Sequence, residues 1–280
     1  MKSWISIVLT IVLITNAGIV LSEDHEAGHW DHTITLTAPP EGYIDQIPLS
    51  IDGVPITAIG NRCFCENENI HRIILHSGID IIGDYAFADS SLEEIEIQYS
   101  QGISIGDGAF QATNITAVTL PHIVNKIGTG VFSSCYDLKQ VQLSEYMSEL
   151  PPYTFAECIA LEEIVLPDSI VRIGESALAA CSVLTNVKLS SKLTYIGESA
   201  FEDCDSLESI VLPDGLRMID SYAFASCEKL TSVYLPPTIV YIAPDAFEDC
   251  PCLILQVDEG SYPEYYAAQN QINHMLVNVQ

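Results

Sequence analysis

The sequence is dominated by a unit of about 23 residues that recurs along most of its length. Ile-Gly followed by Ala-Phe appears at 82–87, 105–110 and 196–201. The aromatic position of the unit recurs at intervals of 23 residues, with one interval of 22, at Phe64, Phe87, Phe110, Phe132, Phe155, Leu178, Phe201, Phe224 and Phe247. A period this short restricts the chain to stacked coils, because each unit can bury its apolar side only against its neighbours.

Each unit also contains a short pattern typical of a β-strand. After the aromatic position comes Leu-x-x-Ile/Val-x-Leu/Ile, as at Leu161, Ile164 and Leu166. Alternate side chains of a strand point to opposite faces, so this spacing sends the apolar residues inward. Coils stacked in register pair such strands into a parallel sheet, with neighbours about 4.8 Å apart. The pattern predicts a β-rich solenoid of about nine 23-residue coils over residues 43–257.

The unit resembles a known family of repeats. From Leu161 to Cys181 the chain reads Leu-x-x-Ile-x-Leu-Pro-x-x-Ile-x-x-Ile-Gly-x-x-Ala-Leu-x-x-Cys. This is similar to the Treponema pallidum-type leucine-rich repeats of BspA-like surface proteins, over about residues 43–270. Gly260–Ala268 resembles the short helical cap of such arrays, so residues 258–280 are expected to form a cap and tail. The resemblance implies a leucine-rich-repeat solenoid that binds other molecules as adhesins do.

The N-terminal segment has the order of a secretory signal peptide. Lys2 precedes a mostly apolar run from Trp4 to Leu21, and an acidic stretch follows. We expect cleavage after Ser22, with Ala17 as the alternative site, so that residues 1–22 are the signal peptide. An uncleaved signal anchor is the other interpretation, because the run approaches the length that spans a bilayer. With no second apolar span, we predict a secreted, extracellular or cell-surface protein without a transmembrane span after cleavage.

An acidic leader, residues 23–42, follows the predicted cleavage site and holds three of the seven histidines. His25, His29 and His32 stand among carboxylates, and imidazole with carboxylate can bind Zn²⁺ or Cu²⁺. Cleavage after Ser22 makes His25 the third residue, where a free amine, two amides and an imidazole could chelate Cu²⁺. The alternative, which we favour, is a flexible leader without metal.

Six of the nine cysteines follow the repeat, each three residues after the aromatic position: Cys135, Cys158, Cys181, Cys204, Cys227 and Cys250. In the first units the same position holds Asn67, Ser90 and Thr113, so it accepts small side chains that can bond a neighbouring backbone group. We predict a column of free, buried thiols, with disulfides between adjacent coils as the alternative. Stacked thiols do not converge tetrahedrally, so no zinc site is expected there.

Charge and motifs exclude several classes of function. The chain has 38 acidic residues against 10 basic ones, and its net charge of -28 repels nucleic acid. Gly102-Ile103-Ser104-Ile105-Gly106 matches a nucleophile-elbow pattern, but Ile105-Gly106 is the regular pair of the repeat, so no strained strand-to-helix turn is expected. We predict no enzymatic activity and no cofactor. Carboxylates that recur beside the Ile-Gly pairs, such as Asp84 and Asp107, leave diffuse Ca²⁺ binding as an alternative.

The outward positions of the predicted strands vary while the inward ones are constant, which separates recognition from stability. Their mixture of charged, amide and occasional apolar groups suits an extracellular protein or glycan better than a small molecule. The residues expected at the binding face are His71, Arg72, Glu93, Glu94, Glu96, Lys139, Gln140, Glu162, Glu163, Lys188 and Tyr234. Asn114 begins a glycosylation sequon, relevant to a eukaryotic source. The alternative function is an acidic extracellular matrix or Ca²⁺-associated structural protein.

Overall fold

The computed structural model describes residues 19–22, 33–39, 45–98 and 102–277, which form a solenoid of about ten turns. In chain order the elements are β1 (Ile19–Ser22), β2 (Thr33–Leu36), β3 (Ser50–Ile51), β4 (Val54–Ile59), β5 (Arg72–Leu75), β6 (Ile81–Ile82), β7 (Glu94–Ile97), β8 (Ile103–Ile105), β9 (Ala117–Thr119), β10 (Val124–Ile127), β11 (Gln140–Gln142), β12 (Glu149–Leu150), β13 (Glu163–Val165), β14 (Arg172–Ile173), β15 (Asn186–Lys188), β16 (Tyr195–Ile196), β17 (Ser209–Val211), β18 (Met218–Ile219), β19 (Ser232–Leu235), β20 (Tyr241–Ile242), β21 (Ile254–Val257), α1 (Tyr262–Gln269) and β22 (His274–Leu276).

The predicted parallel sheet is present and forms the front wall of the solenoid. It consists of three hydrogen-bonded runs of strands, β5-β7-β9-β11, β13-β15 and β17-β19-β21-β22. β11 lies beside β13 and β15 beside β17, so the runs continue one another. The structure therefore confirms a β-rich leucine-rich-repeat solenoid whose strands stack in parallel.

A second parallel sheet, which the sequence pattern did not predict, forms the back wall. It consists of two runs of short strands, β1-β2-β4-β6-β8-β10 and β12-β14-β16-β18-β20, which are parallel except for the pairing of β1 with β2. Many of these strands end at the Ile of an Ile-Gly pair, as β6 and β14 do. Many of these strands have only two residues, as in β6 and β14. Alternation of apolar and polar residues cannot be recognised over two positions, so such strands give no periodic signal in the sequence.

The back wall extends into the segments assigned above to the signal peptide and leader. β1 pairs with β2 in antiparallel fashion, and β2 pairs in parallel with β4. Cleavage after Ser22 would remove β1 and leave β2 as the edge strand. His25, His29 and His32 lie outside the described residues. Of the helices in the described ranges, none is long and apolar enough to cross a bilayer.

Turns around each Ala-Phe pair close the coils along a third side. Two residues before and after the aromatic position the backbone is often left-handed, with φ of 55° at Tyr85 and 56° at Asp89. A residue with a Cβ loses about 1–2 kcal/mol in this conformation. In return, the amide of Phe87 donates to the carbonyl of Ala109 at 2.8 Å, and that of Asp89 to Gln111 at 2.9 Å, in the next coil. The strain is therefore offset by hydrogen bonds between coils.

Stacked aromatic rings fill the core. In the first ladder the ring centroids lie 4.9, 5.3, 5.4 and 5.6 Å apart, between Phe64, Phe87, Phe110, Phe132 and Phe155. Leu178, fully buried, interrupts the ladder. A second ladder of Phe201, Phe224 and Phe247 follows and ends against the ring of Tyr266 in α1, 6.5 Å from that of Phe247.

Helix α1 covers the C-terminal end of the core, which confirms the predicted helical cap. Ser261 is its N-cap and accepts a hydrogen bond from the amide of Glu264 at 3.2 Å. The carboxylate of Glu264 accepts one from the amide of Gly260, the residue before the N-cap, so both side chains bond backbone amides at the start of the helix. Pro263, Tyr266 and Ala267 are buried against the last coil. After the helix, β22 adds one more strand to the front wall.

The cysteine column lies inside the solenoid, and all nine cysteines are free thiols rather than disulfides. Each thiol of the column donates to a carbonyl of the preceding coil, as Cys181 does to Phe155 at 3.2 Å. Ser90 and Thr113, at the same position, donate within their own coil instead, at 2.6 and 2.9 Å. The column therefore bonds neighbouring backbone groups, as predicted. Burial raises the pKa of the Cys181 thiol to about 12.

Candidate functional site

The residues predicted for the binding face all lie on strands of the front wall or directly before them. Apart from Tyr234 they are exposed. Tyr234 is half-buried, and its hydroxyl donates to Asp258 at 2.9 Å. Burial, together with that hydrogen bond, raises the pKa of Tyr234 to about 12. The front wall therefore presents these side chains on one continuous surface.

Near β5 and β7 the charges of this surface compensate one another. The guanidinium of Arg72 lies 3.5 Å from the carboxylate of Glu94 and 3.9 Å from that of Glu96. The ring of His71 lies 3.2 Å from the carboxylate of Glu93. These side chains are at least half exposed, so each pair contributes about 0–1 kcal/mol to stability. At this end a partner would have to break existing ion pairs.

From β13 onward the front wall is less charged and more apolar. Val165, Lys188, Val211 and Tyr234 occupy the same outward position on four successive strands. The exposed fraction is 53% for Val165 and 81% for Val211. Glu162 lies at the margin of this row and, among the described residues, forms no ion pair. We call Val165, Lys188, Val211 and Tyr234 the front row.

Two shallow hollows lie along the ends of the front strands. One, of about 580 Å³, is lined by Tyr234, Pro236, Pro237, Asp214 and Asp258, among others. The other, of about 370 Å³, includes Pro121, His122 and Gln142. The ring of His122 packs edge-on against that of Tyr146, with centroids 4.7 Å apart. Open hollows of this kind suit the side chains of a partner surface rather than a deeply enclosed ligand.

The carboxylates beside the Ile-Gly pairs have a structural role that the sequence did not reveal. Oδ1 of Asp84 accepts a hydrogen bond from the amide of Asp107 at 2.9 Å, and Oδ1 of Asp107 accepts one from Thr129 at 2.8 Å. Each carboxylate thus joins its coil to the next. Within the described ranges, no three His, Cys, Asp or Glu side chains form a group that could hold a metal ion.

The two remaining sequence motifs, the pattern around Ser104 and the sequon at Asn114, lie at regular positions of the repeat. Ser104 lies in β8 between the buried Ile103 and Ile105, so the strained strand-to-helix turn of a nucleophile elbow does not form here. Asn114 is exposed in the loop before β9. Its side chain is accessible, as glycosylation would require.

Comparison with known proteins agrees with this architecture. The family model described as the BspA type leucine rich repeat region matches residues 57–161 and 148–261, with six copies. A search of curated proteins gives no match.

Several solved structures are similar to the chain over most of its length. A leucine rich cell surface protein from Faecalibacterium prausnitzii is 22% identical, with 91% of this chain and 96% of that chain covered and a TM-score of 0.46. A leucine-rich-repeat protein of T. pallidum is 20% identical, with 94% and 95% covered and a TM-score of 0.45. The pneumococcal vaccine antigen PcpA is 18% identical, with 87% and 82% covered and a TM-score of 0.47.

The family match spans well over half of the sequence, and the matched residues, 57–161 and 148–261, lie within the solenoid. The chain therefore belongs to the BspA-type leucine-rich-repeat family.

Proposed function

We propose that this is a secreted or cell-surface protein that binds an extracellular protein or glycan through its front wall, as an adhesin does, and that it is not an enzyme. The main observation that supports the proposal is the exposed front row. Single exposed apolar residues are common on protein surfaces. Here Val165 and Val211 share one outward position on a regular sheet, with the stem of Lys188 and the ring of Tyr234 completing the row.

The surroundings of the front row support binding to a macromolecule. Protein interfaces combine an apolar centre with a polar rim. Glu162, Thr185 and Glu208, all exposed, form such a rim beside the front row. A solenoid wall also holds these groups at fixed spacing, so little conformational entropy is lost when a partner binds. The predicted signal peptide, residues 1–22, supports the proposed location outside the cell.

The test is binding of the purified chain to a panel of extracellular matrix proteins and to a glycan array. For a partner found in this way, we expect Val165→Ser/Val211→Ser to weaken binding at least about tenfold, because interfaces concentrate their energy in a few central residues. Val183→Ser is the matched control, since Val183 is an exposed valine, at 38%, that lies outside the front-wall strands. Unchanged affinity in the double variant, or no binding to any protein or glycan, would refute the proposal.

A further inference from the structure

The back wall carries a surface whose composition differs from the rest of this acidic chain. On four successive coils, two adjacent columns face outward: Val171, Thr194, Arg217 and Val240, and then Arg172, Tyr195, Met218 and Tyr241. We call these residues the back patch. The back patch contains two arginines and no carboxylate. The segment in which it lies, residues 156–277, has 19 acidic residues and 5 basic ones.

Apolar and aromatic groups of the back patch are open to solvent. The exposed fraction is 61% for Val240, 41% for Tyr241 and 38% for Met218. Tyrosine, methionine and arginine are enriched at the centres of protein interfaces, where aspartate and glutamate are depleted. The composition of the back patch therefore matches an interface centre more closely than that of the front wall does.

Among the residues that the structure describes, both arginines are held in place by groups other than carboxylates. The guanidinium of Arg172 lies over the ring of Tyr195, 4.0 Å from its centroid. The hydroxyl of Tyr195 donates to Asp220 at 2.8 Å, which fixes the ring. Arg217 donates from Nη1 to the carbonyl of Thr238 at 3.1 Å. In the part of the chain that the structure describes, Arg62 and Arg72 form ion pairs with carboxylates, whereas these two do not.

The borders of the back patch define its length. Glu149 pairs in register with Arg172 and ends the patch on one side. On the other side Tyr262 of α1 places its hydroxyl 3.4 Å from the amide of Ile242. Four coils span roughly 15–20 Å, and the two arginines stand two coils apart, roughly 10 Å. This is the scale of a short peptide segment.

We propose that the back patch is a second binding surface, for a protein segment that presents carboxylates among apolar side chains. Each guanidinium retains donors that a carboxylate can accept in paired hydrogen bonds. Apolar side chains of the peptide would contact Met218, Val240 and Tyr241, which lie between and beside the two arginines. At about 0.15 M salt, charges more than about 8 Å away are largely screened, so the acidity of the other walls acts weakly at contact distance. The proposal is independent of the front row.

The test is selection of random peptides, displayed on phage, against the full chain at about 0.15 M salt. We expect the selected peptides to be enriched in Asp or Glu together with aliphatic or aromatic residues. A synthetic copy of one of them, measured by fluorescence anisotropy, should lose at least about tenfold in affinity in Arg172→Gln/Arg217→Gln. The loss should be similar in Met218→Ser/Val240→Ser, which leaves the charges unchanged.

Lys139→Gln/Lys188→Gln is the matched control, because it removes the same number of positive charges from the front wall. We expect it to leave the affinity unchanged. An equal loss in both charge variants would mean that only net charge matters, and would overturn the proposal. Selected peptides without acidic enrichment, or peptides whose affinity depends on Val165 and Val211, would also overturn the proposal. Binding of heparin in place of peptide at the two arginines would overturn it as well.

Discussion

The glycine of the Ile-Gly pair is the position at which we expect the stacking of coils to tolerate a side chain least. In Gly106→Ala, the new Cβ would lie 2.6 Å from the amide nitrogen of Asp84 and 2.7 Å from the carbonyl carbon of Gly83. Ordinary contact begins at 3.4 Å, so the two coils would have to separate by about 0.8 Å, the difference between 2.6 and 3.4 Å.

That separation affects hydrogen bonds between the coils. Gly106 donates to the carbonyl of Ile82 at 2.8 Å, and a further 0.8 Å would stretch this bond beyond the usual range. Asp84 cannot simply turn away, because its carboxylate accepts the amide of Asp107. Overpacking lowers the free energy of unfolding by about 1–3 kcal/mol, and each lost hydrogen bond lowers it by about 0.5–1.5 kcal/mol. Alanine also restricts the unfolded chain more than glycine does, which raises the free energy of unfolding by about 0.4–1 kcal/mol. We expect a net loss of about 2–3 kcal/mol in the free energy of unfolding.

The assay is urea denaturation followed by circular dichroism, with amide hydrogen exchange to locate the damage. Exchange should accelerate at Gly106 and Asp107 before it does so in distant coils. Gly215→Ala is the control, because its Cβ would meet the nearest atoms at 3.7 and 3.8 Å. It should be neutral or stabilising. If Gly106→Ala is as stable as the wild type, close contact of backbones at the Ile-Gly pair does not limit the stacking.

Three further predictions concern the turns, the thiols and the cap. Ala180 has φ of 57°, whereas its half-buried neighbour Ala179 does not lie in the left-handed region. Ala180→Gly should therefore stabilise the fold by about 0.5–1 kcal/mol, and Ala179→Gly should destabilise it by a similar amount. Equal urea midpoints for the two variants would contradict this expectation. Burial raises the pKa of Cys181 from 9.0 to about 12, so the stability due to this thiol is complete below about pH 9 and falls above it, by up to about 1.4 kcal/mol per pH unit. Cys181→Ala should make the fall between pH 9 and pH 11 less steep, and an unchanged slope would argue against a buried neutral thiol. Tyr266→Ala should cost about 3 kcal/mol in the free energy of unfolding and speed amide exchange in the last coil, because the ring of this cap residue is buried beside that of Phe247. Tyr265→Ala, at a side chain with an exposed fraction of 61%, should have neither effect.

The core and the outward columns could be predicted from the sequence because each coil repeats the environment of its neighbour. Arg72 and Glu94, both expected at outward positions from the repeat, are indeed register partners on neighbouring strands. The cysteine column is equally regular, and its thiols contact backbone carbonyls as predicted. In a solenoid of constant period, one correct assignment fixes the corresponding residue of every coil.

Other features depend on geometry that a periodic pattern does not contain. The back wall was missed because its strands are often two residues long, and with it the exposed Met218 and Tyr241. Asp84 looks like any solvated carboxylate in the sequence, yet it accepts an amide of the next coil. Binding by the front wall, the signal peptide and the glycosylation of Asn114 remain predictions.

The parallel stacking of the coils also determines how the protein would respond to force. Each coil is joined to the rest only through its two neighbours, so a pull along the stacking axis would detach terminal coils one at a time. A released coil of about 23 residues extends to roughly 75–80 Å, compared with the roughly 5 Å that it occupies in the stack. A single solenoid anchored at one end could therefore lengthen many-fold in discrete steps under tension while its remaining coils keep the proposed binding surfaces.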